Sequence, residues 1–136
     1  MKSPTILSIC IPIFKKKKKI QYLLKSIDLF SEVEVVILDD GSTDGLKEFL
    51  KNHHYPFTVK FYRTSINRGR SSALADAIKF SNGIYIIIMD SDDHFLPGAI
   101  NLIISNLRKY KTMKSFVFGI KTMKNRIIQK QLPPGG

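Results

Sequence analysis

A chain of 136 residues with 43% hydrophobic and 24% charged content is long enough to bury one sizeable core, and that composition excludes a disordered protein. Cys10 is the only cysteine, which rules out a disulfide framework within the chain, and the longest apolar run, about six residues, is far too short to span a membrane. The formal net charge of +11 favours anionic partners: nucleic acid, phosphate-bearing small molecules or acidic lipid headgroups.

The first stretch, MKSPTILSICIPIF, is interrupted by Pro4 and Pro12 and followed by lysines. It does not fit a signal peptide, so a cytoplasmic location is expected. TILSICIPIF predicts a strand that Pro12 ends or pushes to a sheet edge. Lys15 to Lys19 form an unbroken cationic run leading into KIQYLLKSIDLF, where Ile20, Leu23, Leu24 and Ile27 fall on one helical face. EVEVVIL predicts a strand buried on both faces, as in a parallel sheet. STDGLKEFLKNHH predicts a helix capped by Ser42 or Thr43, with Asp44 in its first turn.

FTVKFYR alternates as a strand, and RSSALADAIKF places Leu74, Ala77 and Ile78 on one helical face. IYIIIM predicts another buried strand. PGAINLIISNLRKY predicts a helix with Pro97 at its first position and Ile100, Ile103, Ile104 and Leu107 on its apolar face. SFVFGIKTMKNRIIQK predicts one or two strands, readable as a hairpin, and QLPPGG has the composition of a linker or terminus. The expected organisation is one domain over residues 1–130 and a tail over 131–136.

This alternation predicts an α/β fold: a mainly parallel sheet with helices on both faces. Ligands of such sheets bind beyond the carboxyl ends of the strands. Five of the eleven acidic residues stand there, Asp39 and Asp40 after one apolar run and Asp90, Asp92 and Asp93 after another. In an extended segment Asp90 and Asp92 project to one side. Two converging carboxylates repel each other unless a cation lies between them, and Mg²⁺ or Mn²⁺ suits hard oxygen ligands with phosphate completing the shell. No thiolate or imidazole cluster competes for a softer metal. His53 and His54 are expected on the surface at a helix end, whereas His94 stands near the acids. Taken alone, either acidic cluster would also suit a phosphoacceptor receiver domain or a Mg²⁺-dependent phosphatase.

Their order is more specific. A strand ending in Ile11-Pro12 is followed by ILDDGSTDG, then NRG before a helix, then GIYIIIMDSDDHFLP. This order resembles the nucleotide-sugar-binding portion of family 2 glycosyltransferases, which have the GT-A (Rossmann-like) fold, over roughly residues 5 to 120. The resemblance implies metal-dependent transfer of a sugar, with inversion, from a nucleoside diphosphate sugar, usually a UDP sugar. It implies that Pro12 and Phe14 line the base pocket, with Phe14 stacking on the base. Asp40 would accept the base N–H with Asp39 in support, and Asn67, Gly69 and Arg70 would pass the nucleotide, with Arg68 or Arg70 meeting phosphate. Asp90 would lie near ribose and metal, and Asp92 would ligate the metal. Asp93 would orient the loop or cap the next helix.

The sequence departs from the family at PIFKKKKK, where Ile13 and Lys15 replace polar positions, and in having no Asp or Glu after Asp93. The family's catalytic carboxylate lies in an acceptor-binding half further on; within this chain no base is recognised, and His94 is a speculative substitute. The acceptor, a glycan or a lipid-linked sugar, is then read by residues outside this chain or by a partner subunit. The alternative reading is a nucleotide-sugar-binding module without turnover. Lys15–Lys19 would attract the polyanionic donor or rest on the anionic inner face of a membrane. Nucleic acid is set aside as a partner, because the cations are mostly lysines and the aromatics mostly sit within apolar runs.

Overall fold

The computed structural model describes residues 4–28 and 31–110, together with the backbone of 120–121 and 127–128. Contacts divide the chain into two units, Met1–Ile104 and Ser105–Gly136. The first holds a parallel sheet of β1 (Leu7–Ile13), β2 (Val33–Asp39), β3 (Thr58–Arg63) and β4 (Tyr85–Ile88), in the order β3-β2-β1-β4. Between them run α1 (Lys17–Lys25), α2 (Leu46–Lys51) and α3 (Arg70–Lys79), and α4 (Ala99–Lys109) begins after β4. In the second unit, β5 (Ile120–Lys121) pairs antiparallel with β6 (Ile127–Ile128), the anticipated hairpin. The predicted tail, 131–136, lies outside the described residues. Among the described residues no helix is long and apolar enough to cross a membrane.

β1 and β2 are buried along their whole length, as continuous apolar runs in a parallel sheet should be. Successive strands step in one direction from β1 to β3, then the chain crosses back to β4 on the far side of β1. Right-handed crossovers therefore set α1 and α2 on one face and α3 on the other. On α1, Ile20, Leu23 and Leu24 are fully buried, each contributing about 2 kcal/mol of apolar burial. On α3 the buried residues are Ala73 and Ala77, packed with Cys10, Val36 and Leu38. Of the predicted face, Ala77 is buried as expected, but Ala73 replaces Leu74 and Ile78 beside it: small side chains let the helix approach the sheet closely, and Ile78 is left exposed.

Pro12 neither ends β1 nor moves it to an edge; it lies inside a central strand, paired with Leu38. Its place is explained by the neighbouring strand. The Cys10 carbonyl, directed toward β4, accepts the Met89 N–H at 3.0 Å, and two residues on Pro12 faces the same way. β4 pairs with β1 only as far as Cys10, so the N–H that proline lacks would have met no strand.

β4 is another correction. It alternates between half-buried and exposed, with Ile86 and Ile88 exposed, as is Ile84 just before it; among the described residues it pairs only with β1. The predicted cap of α2 also moves. Gly45, at φ +81°, precedes that helix and no side chain caps it. Asp44 instead accepts the N–H of Lys17 at 3.0 Å, and Ser42 Oγ accepts that of Lys15 at 2.7 Å. The loop after β2 therefore anchors the start of α1. Pro97 stands two residues before α4, which begins at Ala99, although Ile100, Ile103, Ile104 and Leu107 are buried as expected.

Candidate functional site

The reversal of strand order lies between β1 and β4, and a ligand crevice is expected beyond their carboxyl ends. A cleft of about 430 Å³ opens there. Of the residues singled out in the sequence, Pro12, Phe14, Asp40, Asn67, Arg70, Asp90 and Asp92 line it, joined by Lys16 and Ser91. Asp39, Gly69 and His94 do not line it.

The two residues of the first acidic pair turn inward. Asp39 is 1% exposed; its Oδ1 accepts the Ser42 N–H at 2.9 Å and its Oδ2 faces Arg63 Nε at 3.9 Å. The Arg63 guanidinium also donates to the Ser42 carbonyl. Asp40 is 3% exposed; it receives the N–H groups of Arg68 and Gly69 at 2.9 and 2.8 Å and shares the single hydroxyl proton of Thr64 Oγ1, at 3.2 Å, with the nearer Ile66 carbonyl at 2.9 Å. Such a carboxylate holds the 64–69 loop against the sheet and retains one acceptor position of roughly four. Gly41, at φ +88°, allows the approach of the two loops, since a Cβ there would lie 3.1 Å from the Asn67 nitrogen and the Ile66 carbonyl carbon. Asn67 Oδ1 shares the Gly69 N–H at 3.0 Å.

The acids after β4 are arranged differently. DSDD is a turn, closed by the Asp93 N–H on the Asp90 carbonyl at 3.0 Å, so the strand alternation assumed for Asp90 and Asp92 does not apply. Their side chains are 54% and 47% exposed, and each is paired with cations. Arg70 bonds Asp90 Oδ1. Lys16 and Lys19 each lie 3.8 Å from a separate oxygen of Asp92. Arg68, in contrast, is held by Asp76 at 2.5 Å and is not among the cleft residues. Asp93 and His94 are exposed, and Asp93 stands too far before α4 to cap it. His53 and His54 are exposed as expected.

Phe14 is 37% exposed at the cleft wall, with Lys15 Nζ 5.1 Å from its ring centroid. Asp90 and Asp92 supply hard oxygens, and neither sulfur nor imidazole lines the cleft. No group of three His, Cys, Asp or Glu side chains capable of holding a metal occurs among the described residues. Two carboxylates with the remaining positions left for phosphate are what Mg²⁺ or Mn²⁺ takes beside a diphosphate, so the residues fit such an ion.

Two features escaped the sequence reading. One is the pairing of Lys16 and Lys19 with Asp92, for which the three-residue spacing at a helix entry was the available signal. The other is Glu34, 2% exposed, which accepts Ser8 Oγ and the Asn82 N–H, each at 2.6 Å, and pairs with Lys60 at 2.8 Å. Burial opposes its ionisation, but Lys60, Ser8 and Asn82 outweigh that and hold its carboxyl below the ordinary 4.5. Cys10 is buried too; burial pushes its thiol up and leaves it unreactive.

The strand order, the cleft at its reversal and the acidic turn after β4 define a GT-A fold of the nucleotide-sugar transferase type. The model of glycosyl transferase family 2 matches residues 8–133, and the chain belongs to that family. Chondroitin synthase of Escherichia coli is 32% identical over 111 residues, which are 80% of this chain and 16% of that protein. S. aureus TarS 1-349 in complex with UDP-GlcNAc superposes with a TM-score of 0.72 at 23% identity, over 79% of this chain and 32% of the other. The mannosyltransferase PcManGT of Pyrobaculum calidifontis, in complex with GDP-Man and Mn²⁺, gives 0.68 at 20% identity, over 78% and 34%. The chain thus spans from 16% to 34% of the length of these proteins.

Proposed function

We propose that this chain is the donor-binding portion of a metal-dependent, inverting glycosyltransferase acting on a nucleoside diphosphate sugar, with UDP as the nucleotide. The observation that carries this reading is one cleft, at the strand-order reversal, shared by an aromatic wall, a buried carboxylate and two exposed ones. Structural neighbours in complex with UDP-GlcNAc and with GDP-Man and Mn²⁺ support it.

In this reading the base stacks on Phe14 beside Pro12, and the remaining acceptor position of Asp40 takes the base N–H while Asn67 closes the pocket. Asp39 and Gly69 act from outside the cleft by fixing the loops that carry Ser42 and Asn67. Asp90 lies toward the ribose with Arg70 beside it, and Arg70 reaches phosphate when it leaves Asp90. Asp92, with Asp90, would hold Mn²⁺ or Mg²⁺, which would supply Lewis-acid neutralisation of charge on the leaving diphosphate. Arg70 and the lysines of α1 add cationic stabilisation from the protein itself. None of these side chains is placed to deprotonate an acceptor hydroxyl, and His94 is outside the cleft. We assign the base, and recognition of a glycan or lipid-linked acceptor, to residues beyond this chain or to a partner subunit.

Calorimetric titration of UDP with and without Mn²⁺, on the native chain and on Asp92→Asn, tests the reading. Metal-dependent binding lost in the variant supports it; absence of binding by the folded native chain refutes it. A second reading is a nucleotide-sugar-binding module without turnover. It predicts UDP-sugar binding with no release of UDP, even when the candidate acceptor or partner is supplied. Peripheral contact of Lys15–Lys19 with an anionic membrane is a separate proposal. It fails if replacing all five by glutamine leaves binding to phosphatidylserine vesicles unchanged.

A further inference from the structure

The lysine run is poorly explained by helix stability. The first turn of α1 carries Lys17, Lys18 and Lys19 and no acidic residue, the reverse of what the positive end of a helix dipole favours. Within the run the five side chains separate. Lys16 and Lys19, three residues apart, share a helical face, and their ammonium groups address Asp92 Oδ2 and Oδ1 respectively, each at 3.8 Å. Both side chains are about half exposed, at 43% and 58%, so charge rather than packing holds them there. With Arg70 on Asp90, the two exposed carboxylates of the cleft face three cations.

We propose that Lys16 and Lys19 make loading of a divalent cation at Asp92 conditional on a diphosphate. The inference rests on the donor-site reading and goes beyond it. A bare divalent ion at Asp92 would displace two ammonium groups and add two positive charges beside carboxylates whose charge Lys16, Lys19 and Arg70 already offset, so its affinity is suppressed. A diphosphate bridging the ion supplies oxygen acceptors to which the displaced lysines move, and the repulsion becomes attraction. The nucleotide and the ion then bind as a pair, each tightening the other by the same factor. The flexible four-carbon stems of the lysines permit the exchange.

The experiment measures Mn²⁺ binding by the loss of the free-ion paramagnetic resonance signal, at low salt, without and with saturating UDP. It compares the native chain, Lys16→Gln/Lys19→Gln, and the control Lys47→Gln/Lys51→Gln, which removes the same charge from exposed positions on α2 outside the cleft. Without UDP, the first variant should bind Mn²⁺ roughly three- to tenfold more tightly than the native chain, the range expected for two exposed charge pairs. With UDP its advantage should vanish or reverse, and the control should follow the native chain throughout. An equal gain in both variants would mean a diffuse field rather than a clamp, and would overturn the proposal. So would unchanged Mn²⁺ affinity in Lys16→Gln/Lys19→Gln while the native chain still binds UDP with Mn²⁺; the donor-site reading would survive that result. A native chain that binds no UDP defeats the donor-site reading and the clamp with it.

Discussion

The ends of β2 and β4 look alike as sequence, each an apolar run closing on aspartates, yet the two clusters differ in what surrounds them. Asp39 and Asp40 are buried and take their hydrogen bonds mainly from backbone N–H groups, which cannot move away. Asp90 and Asp92 are half exposed and face Arg70, Lys16 and Lys19, all long side chains that can. A carboxylate satisfied by backbone is part of the framework; one satisfied by mobile cations is available for exchange with a ligand. Identical residue types thus divide into a fixed wall and a responsive one.

The largest expected effect is on the fixed wall. Asp40→Ala removes the acceptor of two backbone N–H groups and of a shared hydroxyl in the 64–69 loop, at a cost of roughly 3 kcal/mol. The urea midpoint should fall accordingly and UDP binding should weaken with it. The comparison breaks if Asp40→Ala leaves stability unchanged.

Glu34 sharpens the distinction, because it is buried like Asp40 but paired with a lysine. Its ionised form contributes stability that is fully present above 4.5, its ordinary value, and is lost as pH falls through the lower folded value. Glu34→Gln should cost about 3 kcal/mol at neutral pH, and its deficit against the native chain should narrow in acid below 4.5. Urea titrations at pH 7 and pH 3 measure both; a deficit that does not shrink would mean that charge is not what Glu34 supplies.

The smallest effect on stability belongs to the responsive wall. Asp92→Asn should change the unfolding free energy by no more than about 0.5 kcal/mol while abolishing metal-dependent UDP binding. A loss of stability comparable to that of Asp40→Ala would erase the difference between the clusters.

Much of the architecture was legible in the sequence because its signals are periodic. The order of strands and helices, the burial of β2 and the apolar face of α1 follow from patterns of two and 3.6 residues. Pro12, Phe14, Asp40, Asn67, Arg70, Asp90 and Asp92, singled out in the sequence, line one cleft. What the sequence concealed depends on neighbours distant in the chain. Pro12 is tolerated because β4 stops short of it; Asp44 caps α1 rather than α2; α3 buries Ala73 because the sheet is close. Exposure of β4 was invisible for the same reason: an isoleucine run is apolar whether or not anything covers it. No local pattern distinguishes Asp40 from Asp92, since only their surroundings differ.

The placement of β1 has a kinetic consequence. As the first strand of the chain it must wait for both its partners, and the bond from Gly83 N–H to Ser8 Oγ joins positions 75 residues apart. Contacts of that sequence separation close slowly. The cleft between Phe14 and Asp92 is therefore complete only once β4 has docked on β1. A ligand spanning both walls would slow unfolding of the sheet as well as occupy its edge.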